Sequence, residues 1–426
     1  MKNILLIFVM ILAASKPLSA QLSSITLEEC WQKAHDNYPL IRQYDLITLA
    51  ENYTLDNISK IYLPQISLNG QASYQTDVTQ LILKGNPPIN IADFMQIMPK
   101  DQYKAYVQAQ QVIWDGGQTR AQSSVVRADG EVEKQNVEVS MYAIKDKINQ
   151  LYFGILSAGE QEKQLAAYAA DLQSARDLAA AALQNGVATQ ADTDLVRVEF
   201  LNLDQKRIEL ESAKNAFLKM LSVFIHQPLS DSTQLQMPAD ETLFSDDITR
   251  PELALFGKQR ALYEAQKNTI KAKNNPVLGV FVQGGYGRPG LNMLEPNFKP
   301  YAIGGLQFTW NFGNLYTKKN DLSLIENNLN ILKVQEETFL FNTGLQLNQT
   351  KPEIEKYKKL MDKDDEIVTL RGRVEQTSES KYKNGVYLMK DLISDMNEEN
   401  LARQAKALHY IQYLMSIYNY KYAQGD

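Results

Sequence analysis

Between Gln65 and Asp77 the chain alternates without a slip. Ile66, Leu68, Gly70, Ala72, Tyr74 and Thr76 share one parity, and Gln65, Ser67, Asn69, Gln71, Ser73, Gln75 and Asp77 the other. A strand with this pattern has one apolar and one polar face. The pattern returns from about Tyr103 to Trp114, where Tyr103, Ala105, Val107 and Ala109 oppose Lys104, Tyr106, Gln108 and Gln110. It returns again over Val277–Gly287, with Leu278, Val280 and Val282 in phase, and over Pro300–Trp310. Each segment has about the length a tilted membrane strand needs, and aromatic residues stand near the ends. Four such strands are a severe constraint, because the smallest transmembrane barrels use about eight. The chain must lend its strands to a wall shared between copies, or bury one face of a small soluble sandwich. A weakly apolar, glycine-rich face opposite a face of Gln and Ser favours the shared wall. A trimer would supply twelve strands and a wider lumen than a dimer. Ile66, Leu68, Tyr74, Leu278, Val280 and Val282 are then expected to face lipid, with Ser67 to Asp77 facing water.

Nothing else in the sequence offers a membrane span. Residues 1–20, MKNILLIFVMILAASKPLSA, read as a cleavable secretory leader: Lys2, an apolar run from Ile4 to Ala14, and a small-residue ending at Leu18-Ser19-Ala20. That apolar run is too short for a retained helix, and no later run reaches eighteen apolar residues. A spanning structure must therefore be a barrel. Removing Lys2 and Lys16 takes the formal charge from −6 to −8, which argues against nucleic acid as a partner. Cys30 stands alone, without a lipid-attachment context, so no disulfide framework is available.

The chain is also duplicated. Pro39 and Pro64 answer to Pro251 and Pro276, each pair 212 apart; Trp114 answers to Trp310, 196 apart. The first copy therefore holds sixteen extra residues between its strands, where Gly85-Asn86-Pro87-Pro88 reads as loop. Asn185-Gly186-Val187 with Asp192 answers to Asn384-Gly385-Val386 with Asp391, 199 apart. The repeats run over residues 21–226 and 249–426, joined by a polar linker at 227–248. Each repeat is predicted to run helix, strand, strand, long helix, tight turn, helix. Long helices are predicted over 118–184 and 316–383, and second helices over 187–226 and 386–420. Leu165, Tyr168, Leu172, Ala175, Ala179 and Ala182 step by three and four, whereas Val196, Leu203, Leu210, Phe217 and Phe224 recur every seven; both are coiled-coil seams. Pro352 is expected to kink the second long helix, and with Gly154 and Gly159 it predicts a belt of broken geometry level with the linker. Helices alone would equally suit a soluble periplasmic coiled-coil scaffold or adaptor.

The stretches ITLEECWQKAHDNYP from Ile25, IWDGGQTR from Ile113, RPEL from Arg250 and YKNGVYLMKDL from Tyr382 resemble the TolC-like outer membrane efflux proteins. The resemblance covers nearly the whole chain after residue 20. It implies a mainly α fold with membrane β structure: a homotrimer whose twelve strands form one barrel in the outer membrane of a Gram-negative bacterium, continued by a periplasmic helical coiled-coil barrel. It implies a passive exit duct for efflux or type I secretion that docks a periplasmic adaptor and an inner-membrane transporter. The turns Asn185, Gly186, Val187 and Asn384, Gly385, Val386 would then be the adaptor-docking tips. Asp391 matches a carboxylate of the periplasmic aperture; where a second is expected stands Ser394, with Asp395 one residue later. The first repeat offers Asp192 and Asp194. Tyr382 matches a position that helps latch the mouth, but Tyr387 stands where the resemblance calls for a basic residue. Carboxylates ringing a constriction would favour cations. The same acids also suit the first turn of a helix, where the dipole favours them.

Enzymatic motifs are missing. His35, His226 and His409 are far apart and lack zinc-ligand spacing, and Gly284-Gly285-Tyr286-Gly287 sits in a strand pattern with no helix after it. No cofactor is expected, and energy for transport must come from a partner.

Overall fold

The computed structural model describes residues 24–79, 98–240 and 247–426. The leader, the loop at Gly85–Pro88 and part of the linker lie outside the described residues. In chain order the elements are α1 (Leu27–Asn37), α2 (Gln43–Ser59), β1 (Gln65–Tyr74), β2 (Asp101–Trp114), α3 (Gln118–Gln184) and α4 (Gln190–Ile225). They continue with α5 (Pro251–Lys273), β3 (Val277–Arg288), β4 (Lys299–Thr309), α6 (Asn314–Lys383) and α7 (Met389–Gln424). No helix among the described residues is long and apolar enough to cross a membrane.

The chain divides into two compact units, and neither is one repeat. One gathers Gln43–Asn136 and Ala254–Glu337, and so holds all four strands; the other gathers the described residues up to Arg42 with Val137–Leu253 and Thr338–Asp426. Each repeat contributes to both, because α3 and α6, of 67 and 70 residues, carry the chain from one to the other. At 1.5 Å per residue each helix is about 100 Å long.

In the strand-bearing unit the sheet is antiparallel with order β1-β2-β3-β4, so the hairpins of the two repeats meet at β2 and β3. The strand-to-helix corners are built from the repeated motifs. Asp115 turns its carboxylate back to accept from the backbone N–H of Gly117 (2.9 Å) and of Thr119, closing the first turn of α3. Burial opposes its charge, but these hydrogen bonds outweigh burial and hold its pKa below the ordinary value. In the second repeat Asn311 does the same for Gly313, at 3.1 Å. Gly116 has φ +70°, and a Cβ there would lie 2.6 Å from that of Asn275, whose amide donates to the Gly116 carbonyl at 2.7 Å. Only glycine fits both demands.

In the other unit, Thr26 and Glu29 close a capping box on α1, which buries Leu27, Cys30 and Ala34 on one stripe. Cys30 is fully buried, and burial pushes its thiol up to about 12. The linker is pinned in this unit. Leu235 bridges Ile25, the Tyr152 hydroxyl donates to the carbonyls of both Ile25 and Gln236, and Lys214 pairs with Glu162 and Asp231.

Several expectations shift. β1 ends at Tyr74 rather than Asp77, and β2 starts at Asp101 rather than Tyr103. In the expected belt, α3 runs on as helix past Gly154 and Gly159, and α6 past Pro352. Buried Thr350 and Ile354 flank the proline, and packing on both sides keeps the helix going despite one missing donor. Gly154 has a packing reason, since a Cβ there would lie 2.9 Å from the Phe217 ring. The seven-residue seam of α4 holds at Val196, Leu203 and Leu210, then moves to Leu218, Leu221 and Ile225, leaving Phe217 and Phe224 half-buried. A straight helix drifts about 20° per heptad, and here it keeps its own period rather than supercoiling to the end.

Candidate conduit faces and helix tips

The register of the sheet decides which side chains share a face. Gln65, Gln110 and Phe281 lie opposite one another, as do Ile66, Ala109 and Val282. Continuing across β4, one face carries Ile66, Leu68, Val107, Val280, Val282, Leu306 and Phe308; the other carries Ser67, Asn69, Gln108, Gln110, Gln283, Tyr301 and Gln307. The apolar face is bare in the single chain, with Leu68 79% exposed. Tyr74, Tyr103 and Tyr286 stand at its end, whereas Leu278 and Val280 are half-buried. On the polar face Gln110 donates to Gln307 at 3.0 Å, bridging β2 and β4 over the side-chain-free Gly279, and Gln283 donates to the Tyr301 hydroxyl at 3.2 Å. The amide ladder across alternate strands is not visible in the alternation of any one strand.

The helix tips are two versions of one reversal. Gly186 and Gly385 have φ +71° and +74°. Val187 donates its N–H to the carbonyl of Ala182, and Val386 to that of Lys381, at 3.0 and 2.9 Å, the six-to-one bond of a Schellman cap. Asn185 and Asn384 precede the glycines and are exposed, and both valines project into solvent. The second helices, expected from Val187 and Val386, begin at Gln190 and Met389, because the extended caps Thr189 and Leu388 complete each reversal.

Behind the tips a single core joins three of the helices: Tyr168, Leu172, Ala175 and Ala179 of α3, Val196 and Leu203 of α4, and Met389, Leu392, Ile393 and Met396 of α7. Tyr382 of α6 packs against it. Asp192 accepts from the N–H and hydroxyl of Thr189, at 2.8 and 2.9 Å, and both bonds fall on Oδ2. Asp391 accepts from the Leu388 N–H at 3.2 Å, and Asp194 from the Gln190 amide at 3.2 Å. Asp395 accepts from the hydroxyl of buried Ser378, tying α7 to α6. Asp192 and Asp391 therefore hold helix starts, Asp395 joins two helices, and Asp194 is held within its own helix. The Tyr382 hydroxyl is buried without a hydrogen-bond partner, and its pKa is raised by burial first and by the charge of Asp192 second. The structure thus brings Asp192 of the first repeat close to Tyr382 of the second. Nearby, burial and then the charges of Asp171, Glu379 and Glu399 raise the pKa of Glu375, a site that no sequence motif marked.

The RPEL motif also acquires a physical role. The Arg250 guanidinium pairs with Glu252 and lies over the rings of Tyr422 and Tyr142, at 5.0 and 5.1 Å from their centroids. It fastens the start of α5 to α3 and α7, as a delocalised cation on aromatic faces can.

No protein-family model and no curated protein matches the chain. Solved structures do. The outer-membrane channel OprN superposes with a TM-score of 0.69 at 13% identity, covering 94% of this chain and 89% of that one. The fold is that of the TolC-like outer-membrane channels. The outer membrane protein VceC of Vibrio cholerae has a TM-score of 0.65 at 12% identity, over 94% of this chain and 96% of its own. The open MtrE outer membrane channel of Neisseria gonorrhoeae gives 0.64 at 14% identity, over 94% and 89%. At such identities a TolC-like fold is held by pattern and packing rather than by particular residues.

Proposed function

We propose that this protein is a passive outer-membrane exit duct. One observation carries the reading: among the described residues, an open four-stranded sheet has an uncovered apolar face, an amide-rich opposite face and two unpaired edges, β1 and β4. Bare edges and bare apolar strands are severe liabilities in water. Both disappear when β1 of one copy pairs with β4 of the next and the closed wall sits in lipid. Three copies make twelve strands, with the amide face lining water. The rival soluble scaffold leaves the apolar face uncovered.

On this reading the tips meet a periplasmic adaptor through Val187 and Val386, and an inner-membrane transporter supplies the energy. Asp192, Asp194, Asp391 and Asp395 ring the periplasmic mouth, with Tyr382 behind them. Their hydrogen bonds are compatible with that role, because each carboxylate oxygen only accepts and each group has a second oxygen. The test is fractionation and conductance: heat-resistant oligomers in the outer-membrane fraction that open steady channels in planar bilayers are expected. A folded single chain in detergent-free buffer would end the proposal.

A further inference from the structure

Among the described strand residues the polar face bears only two charges, and register sets them side by side. Lys104 of β2 lies opposite Gly287 of β3, and Gly287 lies opposite Lys299 of β4. With neighbouring strands about 4.8 Å apart, the two lysine backbones are roughly 10 Å from each other. The glycine leaves the space between them open. A Cβ on Gly287 would lie 3.1 Å from Lys104 Cγ, so the lysine stem leans over the bare backbone. The rest of this face, from Gln65, Ser67 and Asn69 through Gln108 and Gln283 to Gln307, is uncharged.

Among the described residues no acid forms an ion pair with either lysine. Asp101 is the only acidic residue of the four strands; it lies on the opposite face and is paired with Arg288. Arg288 in turn lies over the rings of Phe298 and Tyr103, at 5.4 and 5.5 Å. The sheet therefore commits its acid to one face and leaves two cations on the other. Glu295, in the β3–β4 connection, accepts from Asn297.

We propose that Lys104 and Lys299 form an anion-holding station on the conduit wall, at the end of the sheet away from the strand-to-helix corners. The proposal rests on the duct reading, in which the polar face lines water and three copies bring six ammonium groups to one height. Two ammonium groups on backbones roughly 10 Å apart suit a multivalent anion, such as a polyphosphate or polycarboxylate, better than a monovalent one. A wall of neutral amides below them offers hydrogen bonds but no competing charge. Cargo with clustered negative charge would pause here, and cationic cargo would be repelled.

The probe is inorganic tripolyphosphate, added to either side of a bilayer holding the full-length protein as its natural oligomer. Block is expected from one side only, because the lysines occupy one end of the wall. K104Q/K299Q should weaken that block by about tenfold or more at low salt, and K104R/K299R should preserve it. Raising salt to about 1 M should abolish it, since the screening length falls to about 3 Å. Oligomer bands on gels report whether the variants assemble. If the double glutamine variant does not, K104Q and K299Q taken singly should each weaken block by about threefold. Conducting channels whose block is the same with and without the lysines would overturn the station and leave the duct intact. A wild-type protein that opens no channels would overturn the duct reading, and the station with it.

Discussion

The long helices α3 and α6 hold the same place in the two repeats and bury different surfaces. Along α3 the covered stripe is apolar: Met141, Ile144, Ile148, Ile155, Leu165 and Leu172 are all buried, and buried Asn149 accepts from the Trp31 indole. Along α6 the buried positions are Leu332, Thr343, Thr350, Ile354, Asp364 and Ser378, mostly polar, while Leu324 and Ile331, Val334 and Phe341, and Leu360, Ile367 and Val374 recur seven apart in the open. The same helical pattern has been satisfied within the chain in the first copy and left unsatisfied in the second. A seven-residue apolar stripe facing solvent lacks its partner helix. A second copy of this chain is the occupant that the duct reading supplies.

The largest test of this difference uses two aliphatic residues. Leu172→Ala opens a cavity in the tip core, where Leu172 is completely buried, and should cost about 2–5 kcal/mol in denaturant unfolding. Ile367, 45% exposed in the single chain, has little to lose unless a second copy covers it. Ile367→Asp should therefore leave helicity of the separate chain unchanged while lowering the temperature at which oligomers fall apart on gels. Oligomers as heat-resistant as the wild type would mean that the α6 stripe faces something other than another copy.

Glycines sharpen the same contrast at a smaller scale. In α3, Gly154→Ala drives a methyl group to within 2.9 Å of the Phe217 ring. Overpacking of this kind costs typically 1–3 kcal/mol, more than the roughly 1 kcal/mol that alanine recovers in helix propensity. In α6, a Cβ at Gly344 meets no atom within 4 Å, so Gly344→Ala should keep that propensity gain and raise the unfolding midpoint. Opposite signs in thermal melts are the expected result. A stabilising Gly154→Ala would mean that Phe217 moves freely, and the close approach of α4 to α3 would lose its explanation.

How much of this was legible in the sequence depended on whether the signal was local. Strand alternation, the two Asn-Gly reversals and the apolar stripe of α3 are set by residues two to four positions apart, and they could be read directly. The α4 seam could be followed only to Leu210, because the change from a seven-residue step to helical drift depends on which neighbour covers each turn. At Pro352 and Gly154 local propensity speaks only to the backbone, and the packing at Thr350, Ile354 and Phe217 that surrounds them is set by distant residues. The facing of Lys104 and Lys299 across Gly287, and of Asp192 towards Tyr382, joins residues from different repeats. No spacing in the chain encodes those pairings until the β2–β3 register and the tip core are known.

The smallest effect separates the tips. In the first repeat Asp192 accepts from both the N–H and the hydroxyl of Thr189; in the second the cap position holds Leu388, which has no hydroxyl, so Asp391 accepts from its N–H alone. Thr189→Ala should cost about 1 kcal/mol, and Leu388→Thr should gain a few tenths to about 1 kcal/mol by supplying the cap hydroxyl that the second tip lacks. Leu388 is exposed, so its replacement removes little packing. Hydrogen exchange at the first-turn amides of α4 and α7 reads both changes locally: protection should fall in the first variant and rise in the second. If protection around Asp391 fails to rise, the second tip is already held by something outside its own backbone. The neighbouring core of Met389 and Leu392 would then be the first place to look, since it packs directly beneath that turn.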